Sequence, residues 1–411
     1  MNKDLGRVIQ NFISLLLTQG GNYIVPLITL PYLVSVLGVT EYGKYSYALV
    51  FNGYFLILSS FGFNLSAPKI VAENSENTGK LNEIFSSVLT LKILLIFVSL
   101  PILLTLLYFI PSLREIQFLV IVSFGFVIAQ ALTPNWFFQG MERMKLITIT
   151  SLSAKTAYAI SLFVLVREPN DLYLVPVLNS SSYLITAIIG LLICVQKFQI
   201  SYFVPSLFLL KKYLIDSYAF FLSRVSVSLY TISNTFVVGA FLGMEMVGVY
   251  SIAEKLFQAM QGLYHPLMNA VYPFISRVKD NKIFRKIFLG SVLINFLVVV
   301  GVYFTADIIF SLVFRDAGIE SVFVFQRLLF ITLVIVPSIL LGYPFLGAMG
   351  FSGFVNRSVM ISSFLHITLL VVLIILKEVT LMNVVLAIFI TESTVLLIRI
   401  YGTFKFGLWS K

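Results

Sequence analysis

The chain is a succession of apolar segments, most of them about twenty residues long, separated by short polar stretches. That pattern constrains the fold more than any other feature. Hydrocarbon offers backbone amides no water, so each crossing segment must satisfy its own hydrogen bonds as a helix. About 20 apolar residues are needed to cross. Such segments are expected near 9–36, 43–65, 84–108, 116–138, 146–166 and 172–195. Further ones follow near 213–240, 246–274, 287–310, 321–348, 355–376 and 379–403. Hydrophobic residues make up 59% of the 411 and charged residues 11%, against about 25% charged in a soluble domain. The longest polar stretches, 66–83, 196–212 and 275–286, leave no room for a separate soluble domain. The expected fold is therefore all-α and integral to the membrane, with about twelve transmembrane helices.

The net charge of +10 reads as a topology signal, not as a sign of nucleic acid. Lys and Arg collect in cytoplasmic loops. Twelve spans put both termini on one side. That side carries seventeen cations: Lys3, Arg7, Lys69, Lys80, Arg143, Lys145, Lys197, Lys211, Lys212, Arg277, Lys279, Lys282, Arg285, Lys286, Arg357, Lys405 and Lys411. The other carries five: Lys44, Arg114, Arg167, Arg315 and Lys377. Both termini are expected in the cytoplasm. No small-residue cleavage site follows a short apolar core, so the first segment is expected to be kept as a helix.

The chain also repeats itself. Leu37-Gly38, Gly43, Tyr45-Ser46 and Ala48 return as Leu242-Gly243, Gly248, Tyr250-Ser251 and Ala253. Asn64 and Pro68 return as Asn269 and Pro273, all at an offset of 205. Duplication of an even number of spans gives both halves the same orientation, related by an axis along the membrane normal. Two six-helix bundles, 1–205 and 206–411, are expected, an arrangement suited to alternating access.

Charges inside spans are costly and therefore informative. Lys92, Lys155, Arg224, Lys255 and Arg327 stand against Glu254 and Glu392, a balance of +3. A cavity lined by this set favours a polyanion. Arg399, near a helix end, is expected to snorkel. Ser251, Glu254, Gln258, Gln261, His265 and Asn269 share one face of the eighth helix at spacings of 3 and 4. Arg224, Ser228, Thr231 and Asn234 form a similar stripe on the seventh, Thr148, Ser151, Lys155 and Tyr158 on the fifth, and Asn11, Ser14, Thr18 and Asn22 on the first. Such residues also serve as interhelical glue. Glu392, and with it Glu254, could carry a coupling proton. His366 reads as a packed polar residue. Pro26, Pro31, Pro266, Pro273, Pro337 and Pro344 fall inside spans and are expected to kink them.

No Walker loop is present, which argues against ATP hydrolysis by this chain. Two histidines far apart argue against a His-based metal site, and the single Cys194 excludes an internal disulfide. No cofactor is expected.

The segment Asn11-Phe12-Ile13-Ser14-Leu15-Leu16-Leu17, with Tyr23, Pro26-Leu27-Ile28-Thr29-Leu30-Pro31-Tyr32-Leu33 and the Leu37-Gly38 to Gly43-Lys44-Tyr45 turn, resembles the start of Wzx-type O-antigen flippases. These form the polysaccharide transporter branch of the MOP superfamily, with MATE exporters as relatives. Asn135-Trp136-Phe137-Phe138-Gln139-Gly140-Met141-Glu142 and Ala253-Glu254-Lys255 resemble further signatures of that family. The resemblance implies a flippase of the bacterial inner membrane that carries an undecaprenyl-pyrophosphate-linked oligosaccharide from the cytoplasmic to the periplasmic leaflet. It also implies a cationic cavity, an ion-gradient energy source, and membrane lipids, a polysaccharide polymerase and chain-length machinery as partners. Lys155, Arg224 and Lys255, with Lys92 and Arg327, are the residues expected to meet phosphates or acidic sugars. Glu254, Gln258, Gln261 and Asn234 are expected to line the same cavity. The chain lacks the two extra helices of lipid II flippases. A MATE-like drug/cation antiporter, which would favour an acidic cavity, and a membrane polysaccharide polymerase or acyltransferase are the alternatives.

Overall fold

The computed structural model describes residues 2–314 and 318–409. It begins with α1 (Asn2–Ser60), whose 59 residues would make a rod of about 88 Å, far longer than a bilayer core. Gly38 breaks it, at φ 79° and ψ 165°, a conformation open to glycine alone. There follow α2 (Phe63–Glu73), α3 (Thr78–Phe109), α4 (Pro111–Glu115), α5 (Gln117–Leu132), α6 (Asn135–Gly140), α7 (Met144–Leu165) and α8 (Leu174–Phe198). Then come α9 (Leu207–Leu242), α10 (Met244–Gly262), α11 (His265–Val278), α12 (Asn281–Val313) and α13 (Gly318–Leu340). A π-turn, Leu341–Gly347, extends α13. The last helices are α14 (Ser352–Ile375) and α15 (Leu381–Lys405). There is no strand among the described residues.

All twelve expected segments fall on helices. Among the described residues nine helices are long and apolar enough to cross a membrane, or ten if the pair Leu207–Ser226 and Tyr230–Leu242, bent by 50°, is one span. The polar face of α10 keeps it below that mark despite its 19 residues. The eighth expected helix is divided, into α10 and α11. The side chains of Asn11, Ser14, Thr18, Asn22, His265 and Asn269 lie outside the described residues, as does Arg315.

The chain forms two compact units, 1–37 with 44–228, and 38–43 with 229–411. The first is centred on a buried cluster that includes Phe63, Phe85, Trp136, Phe137, Phe138 and Tyr213. The aromatic part of the Asn135–Glu142 signature, Trp136 to Phe138, thus packs the core of this unit, while Asn135, Gln139 and Glu142 are exposed. A Cβ on Gly140 would lie 2.5 Å from Val71 Cβ, so α6 rests directly on α2. The second unit has a cluster around Ile275, Phe284, Leu340 and Phe345, with Phe284 and Phe345 stacked at 3.9 Å.

The second unit also takes in residues 38–43. Gly243 precedes α10 at φ 89° and ψ 175°, nearly the conformation of its repeat counterpart Gly38. Gly43 lies so close to Met244 that an added Cβ would be 1.9 Å from its carbonyl oxygen. A Cβ on Gly248 would be 2.1 Å from Val39 O. Gly43 and Gly248 are counterparts in the repeat, and so are Val39 and Met244. The two copies of the turn therefore dock on each other by an exchange-symmetric contact of backbone on backbone.

Candidate functional site

In the first unit α1 ends at Ser60, and Gly62, at φ 75°, turns the chain into α2. A Cβ on Gly62 would lie 2.7 Å from Phe221 N, so only glycine lets α9 rest on this turn. Phe61 stacks on Phe221 at 4.4 Å, and the hydroxyls of Ser66 and Ser217 are 2.7 Å apart. These contacts fix the first half of α9. One turn further along, Arg224 and Ser228 face a cleft of about 250 Å³ whose other walls are Leu56, Ile57, Ser60, Gly62, Asn64 and Leu65. Arg224 is exposed and is the charged residue of that lining.

Behind the cleft lies a second cation. Lys92 on α3 is 1% exposed, and its Nζ donates to Asn64 Oδ1 at 3.3 Å. Asn64 therefore has a buried ammonium on one side and the cleft on the other. Hydroxyls, an amide and a guanidinium at one small cleft, with a second cation enclosed behind it, suit an anion with several acceptor oxygens. Lys155 is held elsewhere in the same unit. It is 8% exposed, with Nζ 5.7 Å from the centre of the Tyr183 ring, where α7 packs on α8. So Asn64 links the enclosed Lys92 to the cleft that Arg224 lines, while Lys155 lies outside that lining.

The remaining expected site residues belong to the second unit. Lys255 is exposed and its Nζ donates to Gln258 at 3.5 Å. Glu254, its neighbour, turns the other way and accepts from Thr235 Oγ1 at 3.3 Å. Gln261 is half-buried. Arg327 is exposed, with its guanidinium 4.7 Å from the centre of the Phe323 ring, one turn earlier on α13. Asn234 is buried and bonded within the unit. Glu392 is half-buried, within electrostatic reach of Arg399 and Tyr230.

One feature differs from the sequence reading. Arg399 does not snorkel. It is 7% exposed, and it donates to Ser338 O at 2.7 Å, Ser338 Oγ at 3.3 Å and Ser358 Oγ at 3.2 Å. The cause is the π-turn, which shifts the backbone ladder, so nearby carbonyls need other partners. Gly342 leaves room for the guanidinium, 2.8 Å from where a Cβ would be. The signal in the sequence was Pro337, Gly342 and Pro344 crowded into one span.

The comparisons with known proteins agree with this architecture. The fold is that of multi-pass membrane transporters. Over 96% of this chain and 87% of the other, it matches the lipid II flippase MurJ in an inward closed conformation, with a TM-score of 0.77 at 14% identity. It matches an inward-facing multidrug resistance MATE family transporter of the MOP superfamily over 94% of this chain and 99% of the other, with a TM-score of 0.66 at 12% identity. The chain itself belongs to the polysaccharide biosynthesis protein family, whose pattern matches residues 8–279. A candidate O-antigen transporter of Escherichia coli (strain K12) is 30% identical over 276 residues, 67% of this chain and 66% of that protein. One of Shigella dysenteriae is 29% identical over 273 residues, 66% of this chain and 68% of that protein. The chain thus spans about two thirds of the length of the relatives it matches. The proteins it resembles bear the names of transporters, in line with the resemblance noted in its sequence.

Proposed function

We propose that this chain is a flippase that moves an undecaprenyl-pyrophosphate-linked oligosaccharide, an O-antigen or related repeat unit, from the cytoplasmic to the periplasmic leaflet. The observation that carries the reading is the cleft lined by Arg224 and Asn64, with the enclosed Lys92 bonded to Asn64 behind it. Enclosing a lysine costs several kcal/mol, on the order of 3 on insertion scales, and a fold keeps such a residue where an anion has use for it. The kinship with candidate O-antigen transporters supports the same substrate class. Twelve spans with both termini in the cytoplasm, two bundles of six helices at 1–205 and 206–411, and alternating access driven by an ion gradient belong to this proposal. So do Glu392 and Glu254 as coupling carboxylates, and association with polymerase and chain-length machinery.

The test is leaflet exchange of a fluorescent undecaprenyl-pyrophosphate oligosaccharide in vesicles that hold the purified protein. Arg224→Ala is expected to slow exchange about tenfold or more, the size of one lost charge-assisted hydrogen bond. Lys155→Ala, away from the cleft, is expected to slow it less. Wild-type vesicles that move the lipid at the rate of empty ones would sink the flippase reading. Exchange indifferent to Arg224→Ala would keep the flippase and remove this cleft from it.

Lys92→Met separates function from folding. Replacing a buried charge by an apolar chain of similar length is often neutral or stabilising. Thermal unfolding of Lys92→Met is expected at or above the wild-type midpoint, with exchange slowed as in Arg224→Ala. A lowered midpoint with unchanged exchange would make Lys92 a structural residue.

A further inference from the structure

Three helices of the second unit, α9, α14 and α15, meet at one imidazole. His366 on α14 is 0% exposed. Its Nδ1 lies 2.8 Å from Thr391 Oγ1 on α15, and its Nε2 lies 2.9 Å from Asn234 Oδ1 on α9. The Asn234 amide is fixed by its other end, since Nδ2 donates to Tyr230 O at 3.2 Å. The oxygen that faces the ring can then only accept. Thr391 has a choice. Its hydroxyl is 2.8 Å from the ring and 2.7 Å from Ala387 O, so its proton can go to either.

We propose that His366 is a proton-binding site, built so that the ring gains and loses one proton without movement of any heavy atom. In the neutral ring the proton sits on Nε2 and is donated to Asn234, while the Thr391 hydroxyl donates to Nδ1. On protonation, a proton from water joins the Nδ1 lone pair. Nδ1–H then donates to Thr391 Oγ1, and the hydroxyl turns its own proton to Ala387 O. No other bond changes. Every polar group is matched in both states. A histidine that only packs needs one matched state; this one has two. The other neutral tautomer, with its proton on Nδ1, would set the Nε2 lone pair against Asn234 Oδ1 and is disfavoured.

The charged groups near the site are these. From α9, Tyr230 presents its ring at 6.2 Å and 73° to the imidazole. From α15, Glu392 follows Thr391 directly, and both it and Arg399 act on Tyr230. From α10, Glu254 bonds Thr235, the neighbour of Asn234, with Lys255 beside it. An imidazolium needs an acceptor for each of its two N–H groups, and Thr391 Oγ1 and Asn234 Oδ1 stand at hydrogen-bond distance from them.

The test needs no substrate. The protein, labelled with ¹⁵N-histidine and held in lipid nanodiscs, is followed by magnetic resonance from about pH 8 to about 3, through and below the range where an ordinary histidine titrates. Its two histidines are assigned with His366→Gln, or with His265→Gln if the first variant fails to fold. The expected result is a His366 ring that passes from one protonated nitrogen to two. Asn234→Leu, which removes one of the two acceptors, is expected to abolish that passage in the same range. A wild-type ring that stays neutral throughout overturns the proposal, and so does a passage that Asn234→Leu leaves unchanged. Neither reading depends on transport, so failure here and failure of the flippase assignment are told apart.

Discussion

Gly43→Ala and Gly248→Ala are each expected to destabilise the purified protein by about 3 kcal/mol or more, the upper range for forcing atoms into a filled space. The reason is the docked pair of turns. A methyl at Gly43 would lie 1.9 Å from Met244 O, and one at Gly248 2.1 Å from Val39 O. Both obstacles are backbone carbonyls, which cannot swing aside as a side chain could. The only relief is to part the two turns, whose own Tyr42 and Val247 are now buried. Thermal unfolding in detergent measures the loss. Gly290→Ala and Gly301→Ala on α12, where a Cβ would meet nothing within 4 Å, are the controls. They are expected to be neutral, or to gain about 0.5–1 kcal/mol from higher helix propensity. The double variant Gly43→Ala with Gly248→Ala should cost less than the sum of the two, because one parting relieves both clashes. Wild-type unfolding of Gly43→Ala would mean that the turns do not meet.

That contact marks how far the sequence could be read. The duplicated Leu-Gly and Gly-x-Tyr-Ser pattern announced a repeat, and Gly38 and Gly243 do share a backbone conformation. An offset says that two segments are alike; it carries no information that they touch. The helices were legible because burying backbone in hydrocarbon leaves one solution per apolar segment. Their interruptions were less so. The stripe from Ser251 to Asn269 runs in sequence straight through residues 263–264, where the structure parts α10 from α11.

The site was legible in residue type and not in grouping. Lys92, Arg224 and Lys155 were all singled out as charges in spans, yet only Arg224 lines the cleft, with Lys92 enclosed behind it. What joins them is Asn64, an ordinary polar residue at a turn. Its importance follows from Gly62, which lets α9 press on that turn. Arg327 and Lys255, equivalent to those cations on a helical count, belong to the other unit, one with its guanidinium over Phe323 and the other bonded to Gln258. His366 looked like packing because a single histidine in a span says nothing of its partners. Asn234 and Thr391 lie 132 and 25 residues away.

Arg399→Ala is expected to cost about 3 kcal/mol, the loss of one or two hydrogen bonds from a charged donor together with partners left unmatched in a buried place. The guanidinium holds α15 to the break after α13 and to α14, through Ser338 and Ser358. Without it the Ser338 carbonyl faces a void in a dry interior, and Glu392 loses its neighbouring cation. Arg399→Lys is not expected to restore stability. A point ammonium cannot present Nε to one helix and Nη1 to another as the planar fork does. Glu392→Gln should recover part of the loss in the Arg399→Ala background and lower stability in the wild type, a sign reversal that a double-mutant cycle reads directly. Thermal unfolding midpoints of the wild type, the three single variants and the Arg399→Ala/Glu392→Gln double variant are enough. If Arg399→Lys unfolds like the wild type, the fork is not what ties the helices. If Glu392→Gln costs the same in both backgrounds, the two side chains are not coupled. The outcome also bears on the π-turn. Gly342 is the position at which a Cβ would come within 2.8 Å of the guanidinium, so Gly342→Ala should damage the wild type and be tolerated once Arg399 is alanine. That pair of results would show that the break in the span and the buried cation require each other.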